Sequence, residues 1–265
     1  MDGRSPCPAA ETLSVVVIAL NEARDIPACL ESVAFAGERL VVDSGSTDGT
    51  VEAAAACGAR VLQHPFESFS AQKQWACDQA SGGIVLVLDA DETACPGMAR
   101  MIEEASRRNP DVQAWRIRRR TRYLGRVLRF GPWMGDAPVR LFRSGRASFG
   151  DEAVHERIRS TGRTSLLDGA WIEHTPYADV SEHMQKMMRY TRLWADQQIA
   201  GGRRARCWDP PARAAWRLFR AMFLQLAFLD GFPGMAASMS SAVYAYWKWL
   251  RLWELVKDSE MRSGR

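Results

Sequence analysis

Two aspartates close a run of apolar residues, and their spacing suits metal chemistry. The stretch Ile84–Glu92 reads I-V-L-V-L-D-A-D-E, so Asp89 and Asp91 flank one small residue, Ala90. The apolar run predicts a strand buried on both faces, and open α/β sheets bind ligands at the carboxyl ends of such strands. Clustered carboxylates repel each other unless a cation lies between them, and Mg2+ or Mn2+ shared with substrate phosphates would suit them. The alternative is a turn or helix cap, where aspartate is common.

Two earlier strands are predicted to end in polar residues at the same edge. They are Leu13–Ala19 and Arg39–Val42, and carboxylates there could accept hydrogen bonds from a base or a ribose. For Asp43 the alternative is turn chemistry, which also accounts for Asp48. The residues that these two strand ends contribute are Ala19, Asn21, Glu22, Asp43 and Ser44.

Strand and helix patterns alternate through the first part of the chain. Further strands are predicted at Ala59–Leu62 and Ala114–Arg119, and helices near Asp25–Ala34, Ser70–Ala80 and Pro96–Arg108. The alternation predicts an α/β fold with a mostly parallel sheet and right-handed crossovers. Beyond it, Thr121–Arg163 predicts loops and short antiparallel strands, and helices return near Val180–Ile199.

The strand-end motifs resemble the signature of the family 2 glycosyltransferases. V-V-I-A-L-N-E, V-V-D-S-G-S-T-D-G-T and L-V-L-D-A-D-E occur in this order between residues 13 and 92. The resemblance implies the GT-A nucleotide-sugar fold, flanked by helices, and transfer of a sugar from a nucleotide donor with inversion. The donor-binding residues implied are Ala19, Asn21, Glu22, Asp43, Ser44, Lys73, Asp89 and Ala90, with Asp89 and Asp91 serving the metal.

Later segments are similar to a narrower branch, the lipopolysaccharide core β-1,4-glucosyltransferases. They are R-R-R-T-R-Y-L-G-R from residue 118, G-P-W-M-G-D-A-P-V-R-L-F-R from 131, V-H-E-R from 154 and F-L-D-G-F-P-G from 228. This similarity implies UDP-glucose as donor and a lipopolysaccharide inner-core heptose as acceptor. The chain departs from the branch at Met134-Gly135-Asp136, where an aromatic residue usually precedes a proline–aspartate pair.

An inverting displacement also needs a base that takes the proton of the acceptor hydroxyl. The candidates downstream of the aspartate pair are Asp136, Asp151, Glu152 and Glu156. Glu156 is the first choice and Glu152 the second; the alternative is that such carboxylates pair with arginines such as Arg140. The resemblance further implies that His174 completes the metal site, where an imidazole suits Mn2+ better than Mg2+. The alternative is that His174 is an ordinary polar residue.

The charge distribution points to an anionic partner. The net charge is +4, and arginine is concentrated in Arg116–Arg163 and again from Arg203 onward. This favours phosphates or an anionic membrane surface; no nucleic-acid-binding motif is present. Helices in Ala212–Leu229 and Tyr244–Lys257 combine basic residues with tryptophan and phenylalanine, as interfacial membrane helices do. The alternative is that they pack on the catalytic domain or join two copies in a homo-oligomer.

The expected organisation is a loose arm over residues 1–12, a catalytic domain over 13–200 and a helical tail over 201–265. Within the catalytic domain, the nucleotide-sugar half is about 13–110 and the acceptor half about 111–200. Six cysteines without a C-x-x-C pair, and no secretory leader, favour the cytoplasm. We therefore expect an enzyme peripheral on the inner face of the cell membrane. Alternatives are transfer to a polyprenyl phosphate or other envelope glycan, and a non-catalytic nucleotide-binding scaffold.

Overall fold

The computed structural model describes residues 12–150 and 158–263 of the chain. These residues form two compact units. The first comprises Met1–Arg119 and Ala137–His174, and the second Arg120–Asp136 and Thr175–Arg265, each as far as it is described. The predicted arm lies almost wholly outside the described residues.

The first unit is built on a mixed sheet with helices beside it. The strands described are β1 (Leu13–Ala19), β2 (Glu38–Asp43), β3 (Arg60–Gln63), β4 (Ile84–Asp89), β5 (Glu92–Ala94), β6 (Val112–Tyr123), β7 (Arg126–Val127), β8 (Val139–Arg143), β9 (Ala147–Phe149), β10 (Ile158–Ser160) and β11 (Arg163–His174). The helices of the first unit are α1 (Ile26–Ser32), α2 (Thr50–Ala56), α3 (Phe69–Asp78) and α4 (Met98–Arg108), and those of the second are α5 (Val180–Ala200), α6 (Asp209–Phe219) and α7 (Gly231–Ser263). The strand order is β3-β2-β1-β4-β8-β6-β11-β5, and β9 pairs with β10 separately.

The first four strands of this order are parallel. Strand β1 pairs with β2 and β4, and β2 pairs with β3, all in parallel. Their interiors are almost continuously apolar because helices cover a parallel sheet on both faces. The register places Ala19 beside Asp43 and Ile18 beside Asp89. The ends of β1, β2 and β4 therefore meet at one rim, as their sequence predicted.

The pairings of β8 and of β5 are antiparallel, so the sheet is mixed. Strand β8 lies between β4 and β6 and runs antiparallel to both, and β5 pairs antiparallel with β11. The parallel prediction therefore applies to the first four strands only. The predicted fold class, an α/β sheet of the GT-A type flanked by helices and followed by C-terminal helices, is confirmed.

The second unit is mainly helical, and it begins earlier than the predicted tail. Trp194 and Ala195 of α5 pack against Trp249, Leu252 and Val256 of α7. Because these side chains share one apolar core, α5 groups with the C-terminal helices, and the second unit includes both it and residues 120–136.

The connection between α6 and α7 is more broken than the sequence predicted. Helix α6 ends at Phe219, and a π turn (Arg220–Leu224) and a 3-10 turn (Ala227–Asp230) replace the last turns of the predicted helix. Pro233 and Gly234 lie in the first turn of α7, where proline fits because that turn needs no amide donor. A Cβ on Gly234 would overlap the carbonyl oxygen of Ala227, so this close turn requires glycine.

Helix α7 is 33 residues long. None of the helices described is both long and apolar enough to span a membrane.

Candidate active site

The loop after β2 folds around the carboxylate of Asp43. Its Oδ2 accepts hydrogen bonds from the amides of Gly45 (2.9 Å) and Ser46 (3.0 Å), and its Oδ1 accepts one from the Ser46 hydroxyl. The Ser44 amide donates to the Ala19 carbonyl (3.0 Å), which ties this loop to the end of β1. The contacts described for Asp43 are thus those of a turn residue, and its contact with a nucleoside stays a prediction.

The loop after β1 is joined to the same turn. Asn21, at φ 56°, accepts a hydrogen bond from the Thr47 amide (2.9 Å), and its own amide donates to the Ser46 hydroxyl (2.8 Å). The Glu22 amide donates to the Thr50 hydroxyl (2.8 Å). These side-chain contacts fix two of the three strand ends relative to each other. Asn21 and Glu22 therefore lie beside Asp43 at the rim, as predicted.

Asp89 ends β4 between two basic side chains. Lys73 Nζ lies 2.6 Å from its Oδ1, and an Arg140 terminal nitrogen lies 2.8 Å from its Oδ2. Desolvation opposes ionisation, but the charges of Arg140 and Lys73 outweigh it and hold the pKa of Asp89 well below its usual value. Lys73, predicted near the donor, is almost fully buried in α3, and Ala90 is buried next to Asp89.

Glu92 supports the aspartates from the interior. It is fully buried, and its Oε2 accepts a hydrogen bond from the Asp89 amide (3.0 Å). Its Oε1 lies 2.8 Å from a terminal nitrogen of Arg140 and 3.4 Å from one of Arg119. Burial raises the pKa of Glu92 in spite of Arg140, and the charge of Asp89 adds to the rise. One Arg140 nitrogen thus bridges the carboxylates of Asp89 and Glu92.

Asp91 faces His174 across the β5–β11 pairing. His174 lies opposite Glu92 in the register, and its Nε2 is 3.5 Å from Asp91 Oδ2. That separation is long for a strong hydrogen bond. It matches the separation of roughly 3.0–3.5 Å between two ligand atoms that coordinate the same cation, each at about 2.1 Å from it. Within residues 12–150 and 158–263, His174 Nδ1 is buried without a hydrogen-bond partner.

The described residues include one of the four candidate bases, Asp136. Asp151, Glu152 and Glu156 lie outside them. Asp136 is half-buried and belongs to the second unit. Arg140, expected to pair with such carboxylates, instead contacts Asp89 and Glu92.

Sequence reasoning missed Arg140, Glu92 and Arg119 as parts of this site. Arg140 is the one charge inside the apolar core of V-R-L-F, and an isolated charge in a buried strand indicates a buried partner. Its partner could not be named, because only the antiparallel pairing of β8 with β4 brings the two strands together.

Comparison with known proteins identifies the family. The model for "Glycosyl transferase family 2" matches residues 14–152. The chain is 28% identical to the lipopolysaccharide core biosynthesis glycosyltransferase LpsC of Rhizobium meliloti (strain 1021), over 88% of this chain and 89% of that protein. It is 27% identical to an uncharacterized glycosyltransferase of Rickettsia felis (strain ATCC VR-1525 / URRWXCal2), over 96% of this chain and 92% of that protein.

Among solved structures, glucosyl-3-phosphoglycerate synthase from Mycobacterium tuberculosis, in complex with Mn2+, uridine-diphosphate and glucosyl-3-phosphoglycerate, has a TM-score of 0.37 and 28% identity. The match covers 43% of this chain and 45% of that chain, so this chain spans less than half of that structure's length. The family match, by contrast, covers more than half of the 265 residues and contains all three strand-end motifs. The chain therefore belongs to glycosyl transferase family 2.

Proposed function

We propose that this family 2 glycosyltransferase moves a sugar from a nucleotide diphosphate to a lipid-linked saccharide with the help of a divalent cation. In its most specific form the proposal names UDP-glucose as donor and a lipopolysaccharide inner-core heptose as acceptor. The observation that carries it is the placement of Asp91 and His174, 83 residues apart (174 − 91), within 3.5 Å of each other at the rim.

Asp91 and His174 would hold the cation. Among the described residues, no three His, Cys, Asp or Glu side chains form a metal site. Substrate phosphates and water commonly complete the coordination of such a cation. An imidazole beside a carboxylate favours Mn2+ over Mg2+. When bound, the cation would neutralise charge on the departing nucleoside diphosphate.

Asp89 has surroundings that favour a different role. Lys73 and Arg140 occupy one oxygen each and keep the carboxylate ionised. A fixed, ionised carboxylate accepts hydrogen bonds from sugar hydroxyls, and its remaining lone pairs suffice for this. We therefore assign Asp89 to the ribose and the positioning of the donor, with Asp91 as the direct metal ligand.

The acceptor assignment is supported by similarity to LpsC, whose name places it in lipopolysaccharide core biosynthesis. Glu156 remains the first choice for the base, followed by Glu152 and Asp136. A lipid-linked acceptor would place the enzyme at the cytoplasmic face of the membrane.

Replacing Glu156 with Gln should preserve nucleotide binding and remove transfer, because the amide cannot take the acceptor's proton. Full transfer by that variant would move the base to Glu152 or Asp136.

A donor screen tests the proposal. Purified protein is incubated with UDP, GDP and TDP sugars in Mn2+, in Mg2+ and with a chelator, and nucleotide release is measured with and without core saccharide or polyprenyl phosphate. We expect UDP release from UDP-glucose that needs the cation and is accelerated by core saccharide. If only polyprenyl phosphate accelerates release, polyprenyl phosphate would replace the core saccharide as the proposed acceptor. No nucleotide release from any donor would contradict the proposal.

A further inference from the structure

Helix α6 and the turns that follow it expose an unusual number of large apolar side chains. Phe223 is 64% exposed, Phe232 71% and Trp216 56%. Within α6 itself, Pro210 is the one buried residue. The other exposed apolar side chains between residues 216 and 239 are Phe219, Leu224, Leu226, Phe228, Leu229, Met235 and Met239. Contiguous exposure on this scale marks a surface that binds a partner.

Four cations in or near this segment are paired with no carboxylate among the described residues. Arg213 lies 4.6 Å from the ring centre of Trp249, and Arg217 Nε donates to the Ser241 hydroxyl (2.8 Å). Lys248 Nζ lies 4.6 Å from the ring centre of Trp194. In the part of the chain that the structure describes, none of Arg213, Arg217, Arg220 and Lys248 forms an ion pair with a carboxylate.

The local electrostatics reflect this excess of positive charge. Burial, together with the charges of Arg217, Arg203 and Arg213, lowers the pKa of Lys248 to about 8. Between residues 210 and 253 the sequence contains one acidic residue, Asp230. Asp230 is buried and accepts hydrogen bonds from the amides of Arg129 (2.7 Å) and Phe130 (2.8 Å). The exposed aromatic residues are therefore accompanied by positive charge alone.

We propose that residues 213–239, together with Lys248, form a docking surface for an anionic phospholipid bilayer, which we call the α6–α7 surface. Its aromatic side chains would enter the bilayer interface and its arginines would meet lipid phosphates. Aromatic residues beside arginine and lysine are the composition of interfacial membrane helices, and guanidinium groups bind phosphate in fixed geometry.

Charge complementarity favours a bilayer over a second copy of the chain. A two-fold interface places the same patch of each copy against the other. Here that would bring Arg213, Arg217 and Arg220 towards their own equivalents with no exposed carboxylate in the segment to offset them. An anionic bilayer supplies the missing negative charge across the whole surface.

The surface is narrower than the tail that the sequence predicted. Trp249 and Leu252 are buried against α5, so the face of α7 that carries them is structural core and is not available to lipid. The inference deepens the proposed function and rests on it for its biological sense, because a lipid-linked acceptor lies at a membrane. Docking itself is measured without sugar transfer.

Vesicle binding of the full chain tests the aromatic part. Phosphatidylcholine vesicles with and without phosphatidylglycerol are sedimented with wild-type protein and with the double variant Phe223→Ser, Phe232→Ser. We expect the variant to bind anionic vesicles roughly 10- to 100-fold more weakly, because two inserted rings are lost. Both side chains are mostly exposed, so the thermal midpoint should not change. Phe35→Ser, an exposed phenylalanine of the first unit, is the matched control and should bind as wild type does.

Arg220→Gln tests the electrostatic part. It should weaken binding to phosphatidylglycerol vesicles about fivefold and leave binding to neutral vesicles unchanged, whereas the exposed Arg100→Gln on α4 should change neither. Absence of wild-type binding, or equal binding by the double phenylalanine variant, would overturn the proposal. So would light scattering that shows a wild-type dimer dissociated by the same double variant. Vesicle binding by a protein that releases nucleotide from no donor would leave docking intact and reject the proposed function alone.

Discussion

At the scale of single residues, the site contrasts two carboxylates separated by one alanine. Asp89 lies between Lys73 and Arg140, whereas the contact described for the carboxylate of Asp91 is with His174. A carboxylate neutralised by two fixed cations is a poor ligand for a third, because that cation would be repelled by both. The carboxylate next to an imidazole carries no such penalty. This difference is the physical basis for separating the donor-positioning role from the metal-binding role.

Replacing Asp91 with Asn should remove activity and spare the fold. The amide binds a hard cation far more weakly than a carboxylate does, so nucleotide release should fall on the order of a hundredfold or more. The free energy of unfolding should change by less than about 1 kcal/mol, since no described lysine or arginine forms an ion pair with Asp91. Release assays across a Mn2+ titration, paired with thermal unfolding, would check both. Undiminished turnover would contradict the metal assignment.

Replacing Glu92 with Gln should have a large effect on stability. The change replaces the buried carboxylate that contacts Arg140 and Arg119 with a neutral amide, and leaving a buried donor with a poorer partner costs about 1–3 kcal/mol. Glu104→Gln is the matched control, because its partners Arg100 and Arg108 are on the surface of α4 and such pairs contribute about 0–1 kcal/mol. Urea unfolding of both variants measures the difference. Equal midpoints would show that Glu92 does not support the rim.

At the scale of elements, an aromatic cluster joins the β6–β7 hairpin to the start of α5 inside the second unit. The Tyr123 hydroxyl lies 2.9 Å from His183 Nδ1, and Tyr177 stacks on the His183 ring at 4.0 Å between centres. Trp133 lies edge-on to Tyr123 at 5.4 Å. His183 is thus a buried member of this cluster, and Lys186 lies 5.7 Å from the Tyr177 ring.

The second unit should lose stability on mild acidification. Burial lowers the pKa of His183, so the unfolded chain takes up a proton at a higher pH than the folded chain does. The stabilisation is therefore present above the unfolded pKa of 6.5 and declines as pH falls below it. Unfolding midpoints followed from about pH 7.5 to 5.5 should fall less steeply in His183→Gln than in wild type. Parallel slopes would show that His183 does not control this dependence.

At the scale of the whole molecule, each unit has its own core and its own proposed task. The first unit contains the strand-end rim, and the second contains the α6–α7 surface together with a core formed by α5 and α7. Helix α7 contributes both to that core and to the exposed surface, through different faces. Its buried residues Trp249, Leu252 and Val256 are therefore required for folding of the unit.

Deleting residues 209–265 should consequently do more than remove a membrane contact. It would expose Trp194 and Ala195 of α5, so we expect loss of helix signal beyond the deleted residues, together with aggregation. Circular dichroism and size-exclusion chromatography would measure this. Removal of residues 258–265 alone is the control: it should cost only the helix signal of the removed residues and cause no aggregation, because Asp258, Ser259 and Glu260 are exposed. A monomeric, fully helical deletion variant would contradict the shared core of α5 and α7.

Local patterns in the sequence predicted the alternating elements of residues 13–108 and the meeting of three polar strand ends. Continuous apolar runs encode buried parallel strands within a few residues, and the carboxyl ends of such strands converge whatever follows them. Helix α5 was also predicted almost to the residue, because its amphipathic pattern is local.

The tertiary structure alone decided which charges face each other. Arg140 and Asp89 are 51 residues apart, and they meet because β8 inserts antiparallel beside β4. His174 reaches Asp91 through the register of β11 on β5, and the packing of Trp249 against α5 buries that face of α7. Hydrophobic periodicity specifies which side chains are buried, but it does not specify strand order, register or the partner of a buried charge. Those depend on pairing between distant segments, which only the folded chain establishes.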